Sequence, residues 1–127
     1  MTKKKYALLF MAVLVLLLAG CENKTPEQPN IDLTQFKTDY VGNAPNVVNI
    51  VKNQIYPDGY TYNSIEIQSG AEPYGLIVYL NCAVNEGKYN DDLKANADQV
   101  FELVGNLGSI EYRDSDSKKL VAKYNKN

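Results

Sequence analysis

The chain has 127 residues, with 13 lysines and arginines against 15 aspartates and glutamates, a formal net charge of −2 and no histidine. Without histidine the commonest general base and metal ligand are missing, which excludes Ser-His-Asp and Cys-His catalysis and histidine-based zinc sites. The acidic balance disfavours nucleic acid as a partner. We therefore expect no catalytic residue, no cofactor and no metal site.

A basic head followed by an apolar run opens the chain. Three lysines at positions 3 to 5 precede an apolar stretch from Tyr6 to Gly20. This stretch is shorter than the roughly 20 residues that a membrane-spanning helix needs. The pattern predicts a secretory signal peptide over residues 1–20.

The apolar run ends in Leu18-Ala19-Gly20-Cys21, which resembles the lipobox of bacterial lipoprotein signals at all four positions. In that family the cysteine thiol receives a diacylglyceryl group, and the chain is cut just before the cysteine. The resemblance implies that Cys21 anchors a mature protein in the cell membrane, facing the extracytoplasmic side. Two acyl chains on one residue give the stable attachment that a single chain does not. The alternatives are an uncleaved membrane helix and an ordinary cleaved signal.

The mature chain would be small and acidic. Because three lysines leave with residues 1–20, 10 basic and 15 acidic residues remain, a formal charge of −5. Residues 21–35 are polar and contain two prolines, which predicts a lipidated cysteine followed by a flexible tether. Residues 36–127 are enough for one small domain. With Cys21 acylated, no intramolecular disulfide can form, and we expect Cys82 to be a small buried hydrophobe, with a reactive thiol as the alternative.

Two segments with apolar residues at helical spacing predict two α-helices. The first follows Asn43 as N-cap and ends at the turn Pro57-Asp58-Gly59. Its expected buried stripe consists of Val47, Val48, Ile50, Val51 and Ile55. The second begins near Asn90 or Asp91 after a loop over 84–90, and has Gly105 as its expected C-cap. Its expected buried face consists of Leu93, Ala97, Val100, Phe101 and Val104.

Four segments predict strands. Residues 60–68 alternate between polar and apolar, as in a half-buried strand, and residues 74–82 are nearly continuously apolar, as in a central strand antiparallel to the first. Residues 109–113 and 120–124 alternate on either side of a turn, which predicts a hairpin. The order helix-strand-strand-helix-strand-strand predicts an α+β domain. In it, two helices pack on one face of a mostly antiparallel sheet of about four strands.

Three stretches in this order and spacing resemble a family of small extracytoplasmic bacterial domains known only as a domain of unknown function. They are Phe36-Lys37-Thr38-Asp39-Tyr40-Val41-Gly42-Asn43 leading to 47–51, residues 65–68 leading to Glu72-Pro73-Tyr74-Gly75-Leu76, and residues 100–106. Members of that family occur as short lipoproteins and as outer segments of membrane proteins related to beta-lactam-sensing receptors and anti-sigma factors. The resemblance implies a location and a kind of partner. It implies no reaction.

Tyrosines are dense between Tyr56 and Tyr79, and most of this density is typical of sheet propensity with the hydroxyls in water. As candidate binding residues we single out Tyr40, Gly42, Asn43 and Tyr74, because both tyrosines adjoin glycine turns. The sequence favours a non-enzymatic interaction or sensing module whose partner is a membrane or envelope protein. The alternatives are a lipoprotein that binds a small ligand or peptidoglycan fragment, and an unrecognised hydrolase.

Overall fold

The computed structural model describes residues 31–82 and 90–127 of the chain. The predicted signal peptide, its lipobox, most of the tether and nearly all of the predicted loop over 84–90 therefore lie outside the described residues. Asp32–Asn127 forms one compact unit. None of the helices in the described ranges is long and apolar enough to cross a membrane.

The described residues of this unit form a short 3-10 helix, two α-helices and four strands. They are the 3-10 helix Leu33–Phe36, α1 Ala44–Lys52, β1 Thr61–Gln68, β2 Tyr74–Asn81, α2 Asn90–Leu103, β3 Leu107–Asp114 and β4 Leu120–Asn125. The sheet has the order β1-β2-β3-β4, with antiparallel outer pairs and a parallel pair β2–β3 at the centre. The predicted α+β class and element order are confirmed.

The core lies between the two helices and one face of the sheet. Both central strands contribute fully buried side chains, because each is paired on both sides. The largest of them are Leu76, Val78 and Leu80 of β2 and Ile110 and Tyr112 of β3. Burial of each aliphatic side chain contributes about 1.5–3 kcal/mol. The predicted apolar face of α2 is confirmed: Leu93, Ala97, Val100, Phe101 and Val104 are all buried.

The first helix is shorter than the sequence predicted. It ends at Lys52, and the Pro57-Asp58-Gly59 turn lies beyond it. Ile55, expected in the buried stripe, lies outside the helix and is 75% exposed. At the end of the helix, the Tyr56 hydroxyl donates to the Val51 carbonyl oxygen at 2.7 Å and so satisfies a carbonyl group of the last turn.

The start of α1 is as predicted, but its cap differs in detail. Asn43 occupies the N-cap position, and its carbonyl oxygen accepts the Val47 N–H at 3.1 Å. The Asn43 side chain makes no capping bond. Pro45 in the first turn needs no N–H partner, which lowers the number of donors that a side-chain cap would have to satisfy.

Candidate functional site

The three adjacent candidate residues, Tyr40, Gly42 and Asn43, lie on one turn before α1. The Asn43 N–H donates to the Tyr40 carbonyl oxygen at 3.1 Å, which closes the turn. All three residues are exposed, and Tyr40 is 69% exposed. The turn therefore presents a large aromatic side chain to solvent.

The base of this turn is fixed by the segment that joins α2 to β3. Val41 is 1% exposed, and its N–H donates to the Asn106 side-chain oxygen at 2.7 Å across 65 residues of sequence. The Asn106 N–H in turn donates to the Asp39 carbonyl oxygen at 3.1 Å. Buried Val41 and these two bonds hold the neighbouring Tyr40 at a defined place on the surface.

Thr38 extends this attachment to the end of α2. Its N–H donates to the Leu103 carbonyl oxygen and its carbonyl oxygen accepts the Gly105 N–H, each at 2.9 Å. Gly105 does not act as the predicted C-cap, because its φ is not in the left-handed region, which Gly59 alone of the described glycines adopts. Its lack of a side chain serves close approach instead, since a Cβ at Gly105 would lie 3.2 Å from the Asp39 Cα.

Tyr74, the fourth candidate, opens β2 and pairs with Leu107 at the start of β3. Because Leu107 follows Asn106, Tyr74 lies at the same end of the sheet as the Tyr40 turn. Tyr74 is half-buried and packs against the core, whereas Tyr40 projects from it. The structure thus places all four candidates at one end of the domain, with different exposure.

The tyrosines before β1 differ from the expectation of strand residues with their hydroxyl groups in water. Tyr56 and Tyr60 lie in the connection between α1 and β1, and Tyr60 is 5% exposed. The Tyr56 hydroxyl is held by the Val51 carbonyl oxygen, and burial raises its pKa far above the ordinary value. Their aromatic rings therefore pack in or against the core.

An open depression of about 450 Å³ lies between this connection and α2. Its lining combines apolar and acidic side chains: Ile55, Tyr56, Pro57, Asp58, Asp92, Ala95 and Asn96. Sequence reasoning missed this site because Ile55 was assigned to the core. A second depression of about 420 Å³ lies between α2 and β4 and is mostly polar, with Lys94, Asp98, Lys123 and Lys126 among its lining residues.

The sheet face away from the helices carries a polar network. Glu111 accepts from Arg113 Nε at 2.8 Å and lies 3.7 Å from Lys123 Nζ. Glu66 accepts from the Tyr79 hydroxyl at 2.9 Å, and this bond raises the pKa of Tyr79. Glu111 thus has two basic partners, whereas Glu66 has no basic partner among the described residues.

Cys82 and two aspartates, Asp98 and Asp114, make local contacts. Cys82 is half-buried and packs against the core, and burial raises the pKa of its thiol. Asp98 forms an ion pair with Lys94 at 2.7 Å. Asp114 accepts from the Ser117 hydroxyl at 2.6 Å, which lowers its pKa. In residues 31–82 and 90–127 no three acidic or cysteine side chains cluster in a way that could hold a metal ion.

One comparison with known proteins gives a match. The family model described as "Domain of unknown function (DUF4825)" matches residues 33–126, from the 3-10 helix through β4. No curated protein and no solved structure matches the chain. The comparisons therefore identify the domain, and its function has to be inferred from its geometry.

Proposed function

The chain belongs to the DUF4825 family, a domain of unknown function, and from this premise we propose that it is a lipid-anchored extracytoplasmic interaction module. In this proposal the domain acts without catalysis, as a protein-binding or sensing unit at the cell envelope. Its partner is another membrane or envelope protein. Cys21 carries the lipid, and the tether predicted over residues 21–35 links it to the domain.

The observation that carries the interaction role is that exposed Tyr40 lies on a turn whose backbone is bonded to the segment after α2. Tyrosine is enriched at binding hot spots because it offers a large contact area with few rotatable bonds. An exposed tyrosine on a mobile loop would lose much of that advantage on ordering. Here Val41 is buried beside it and bonded to Asn106, so part of the ordering cost is already met in the free protein.

The proposed anchor rests on Leu18-Ala19-Gly20-Cys21 after a basic and apolar leader. Cys21→Ser removes the acceptor thiol, so the variant should appear in the medium or remain unprocessed. Membrane fractionation and intact-mass measurement check this expectation. A Cys21→Ser protein that stays in the membrane at the normal mature mass would contradict the anchor.

A second candidate function is the binding of a small ligand or a peptidoglycan fragment. The depression beside Ile55 favours it, since an exposed isoleucine, an aromatic ring and Asn96 lie together there. The depression is open, however, whereas small-molecule sites are usually enclosed and bury most of their ligand. Its shape is therefore weaker support for ligand binding than an enclosed pocket would be. Titration with soluble muropeptides, comparing Ile55→Ser with the wild type, tests this candidate.

The proposed partner is tested by cross-linking in intact cells, followed by mass spectrometry. We expect one membrane protein to dominate the cross-linked products. Its cross-linked amount should fall at least fivefold with Tyr40→Ala or Tyr74→Ala. Tyr40→Phe is the matched control, since it keeps the ring and should keep most of the capture. The Cys21→Ser variant, which lacks the proposed anchor, shows which cross-linked products depend on attachment to the membrane. Equal capture by wild type and Tyr40→Ala would contradict the role of this surface.

A further inference from the structure

We propose that the free edge of β1 binds an extended segment of another protein, which adds to the sheet as a fifth strand and places a basic residue beside Glu66. This inference rests on the proposed function and names the chemistry of the partner. The strand order β1-β2-β3-β4 leaves one side of β1 without a neighbouring strand in the described part of the chain. Its outward backbone N–H and C=O groups therefore have no strand partner there, which is the condition for adding a strand.

The helix-side face of β1 is incompletely covered. Ile65 lies opposite Val78 and Ile67 opposite Leu76. The two β2 side chains are at most 1% exposed, whereas both isoleucines are only half-buried. Both lie on the strand at the edge of the sheet, so an added strand with apolar side chains on this face would bury more of their surface.

Few of the usual features that protect an edge strand are present in β1. Its sequence Thr-Tyr-Asn-Ser-Ile-Glu-Ile-Gln has no lysine and no proline over eight residues. A bulge at Asn63 interrupts the ladder near the start. Beyond it, residues 64–68 pair with β2 without a further register shift. The opposite edge, β4, carries Lys123, which opposes unspecific pairing.

The acidic charge around β1 indicates that the added segment carries a basic residue. No lysine or arginine occurs between Lys52 and Lys88, whereas Asp58, Glu66 and Glu72 lie before, within and after β1. Glu66 is the one ionised residue of β1. It points to the face away from the helices, where its bond comes from the neutral Tyr79 hydroxyl. A cation on the added strand would therefore be its first basic partner among the described residues.

A second copy of this chain fits the edge less well than a basic segment does. Its most suitable strand is β4, with Lys123 on the outer face, but this lysine already lies 3.7 Å from Glu111. Two mature copies would also each carry a formal charge of −5, which opposes association. Self-pairing of two β1 strands with isoleucines aligned brings Glu66 opposite its own copy, which is destabilising.

The experiment measures binding of two end-capped nine-residue peptides by fluorescence anisotropy. Both have threonine at odd and valine at even positions, and the central residue is lysine in one and glutamate in the other. The protein is the full chain, purified in mild detergent. We expect the lysine peptide to bind about fivefold more tightly than the glutamate peptide, as a cross-strand charge pair implies.

Three variants locate the effect. Glu66→Gln keeps an acceptor for Tyr79 and should bring the two affinities together, and Glu66→Lys should reverse their order. Glu102→Gln, at an exposed position of α2, makes the same change in net charge and should leave the ratio unchanged. Hydrogen exchange with the lysine peptide bound should show protection in residues 61–68. If Glu66→Lys fails to fold, Gln68→Lys on the same face should weaken the lysine peptide instead.

Several results would overturn the proposal. They are absence of binding, equal affinities in the wild type, a ratio insensitive to Glu66, and protection of β4 instead of β1. Concentration-dependent dimers that the peptide dissociates would identify a second copy as the occupant and also reject a separate partner. If the peptides fail while cells still yield a Tyr40-dependent cross-link, the β1 inference is wrong and the proposed function stands.

Discussion

Tyr112 and Tyr56 differ in what their hydroxyl groups bond to. Tyr112 is 0% exposed, and its hydroxyl has no hydrogen-bond partner among the described residues. Its ring packs edge-on against that of Tyr124, with 6.3 Å between the ring centroids. The Tyr56 hydroxyl donates to the Val51 carbonyl oxygen at 2.7 Å. Burial raises the pKa of both phenols above the ordinary value.

Substitution of each tyrosine by phenylalanine should therefore change stability in opposite directions. Tyr112→Phe removes a buried hydroxyl that is unpaired, and should raise the free energy of unfolding by about 1 kcal/mol. Tyr56→Phe loses a bond to a helix carbonyl and should lower it by about 1 kcal/mol. Urea denaturation of both variants at pH 7 measures this. A Tyr112→Phe protein destabilised as much as Tyr56→Phe would show that its hydroxyl is bonded.

At the scale of elements, the short segment between α2 and β3 organises the candidate surface. Asn106 receives the Val41 N–H at 2.7 Å and donates its own N–H to Asp39. Leu107, the next residue, starts β3 beside Tyr74. One connection thus positions the Tyr40 turn and the first residue pair of the parallel strands.

Asn106→Ala should leave the buried Val41 N–H without an acceptor and lower the free energy of unfolding by about 2 kcal/mol. Asn106→Asp is the control, because it keeps an oxygen at the acceptor position and should retain most of the stability. Amide exchange of Val41, followed by NMR, reports the same bond directly: slow in the wild type and in Asn106→Asp, fast in Asn106→Ala. Slow exchange in Asn106→Ala would mean that another group holds the turn.

The elements themselves could be predicted because their signals are local. The spacing of Leu93, Ala97 and Val100 indicates α2, and the alternation around Ile65 and Ile67 indicates β1. The end of α1 at Lys52 could not be predicted, since the apolar spacing continues to Ile55 and the turn residues come only at Pro57. Apolar character placed Ile55 in the core, but the chain leaves the helix before it.

The candidate surfaces could be predicted only in part, because they depend on contacts between distant residues. The glycine turn pointed to Tyr40, but its attachment by Asn106 spans 65 residues and has no local signal. Likewise, the alternating pattern predicted that β1 is half-buried, but it did not predict that β1 lies at an edge of the sheet. That position follows from the parallel pairing of β2 with β3. Pairing order depends on how α2 crosses the sheet, which residue periodicity does not encode.

At the scale of the whole molecule, charge is distributed unevenly over the sheet. The β1–β2 half carries acidic residues without basic ones, whereas Arg113, Lys118, Lys119, Lys123 and Lys126 lie on the β3–β4 half. Much of this basic charge is already engaged: Arg113 and Lys123 face Glu111, and Lys118 lies 4.4 Å from the Tyr79 ring centroid. The β3–β4 half therefore offers fewer unpaired basic side chains to a partner than its number of lysines and arginines suggests.

Together with the proposed lipidation of Cys21, this distribution predicts that the lipid alone would attach the protein to membranes. Each free lysine near an anionic surface contributes about 1 kcal/mol, which is too little for the unengaged lysines to hold a domain of charge −5. Residues 22–127 without lipid should stay in the supernatant when vesicles containing one-third phosphatidylglycerol are pelleted at 0.15 M salt, whereas the lipidated full chain should pellet with them. Vesicles of phosphatidylcholine alone should give the same two results, since neither depends on lipid charge. Pelleting of the unlipidated domain with anionic vesicles only, reversed by salt, would show instead that the β3–β4 face binds the membrane and orients the domain against it.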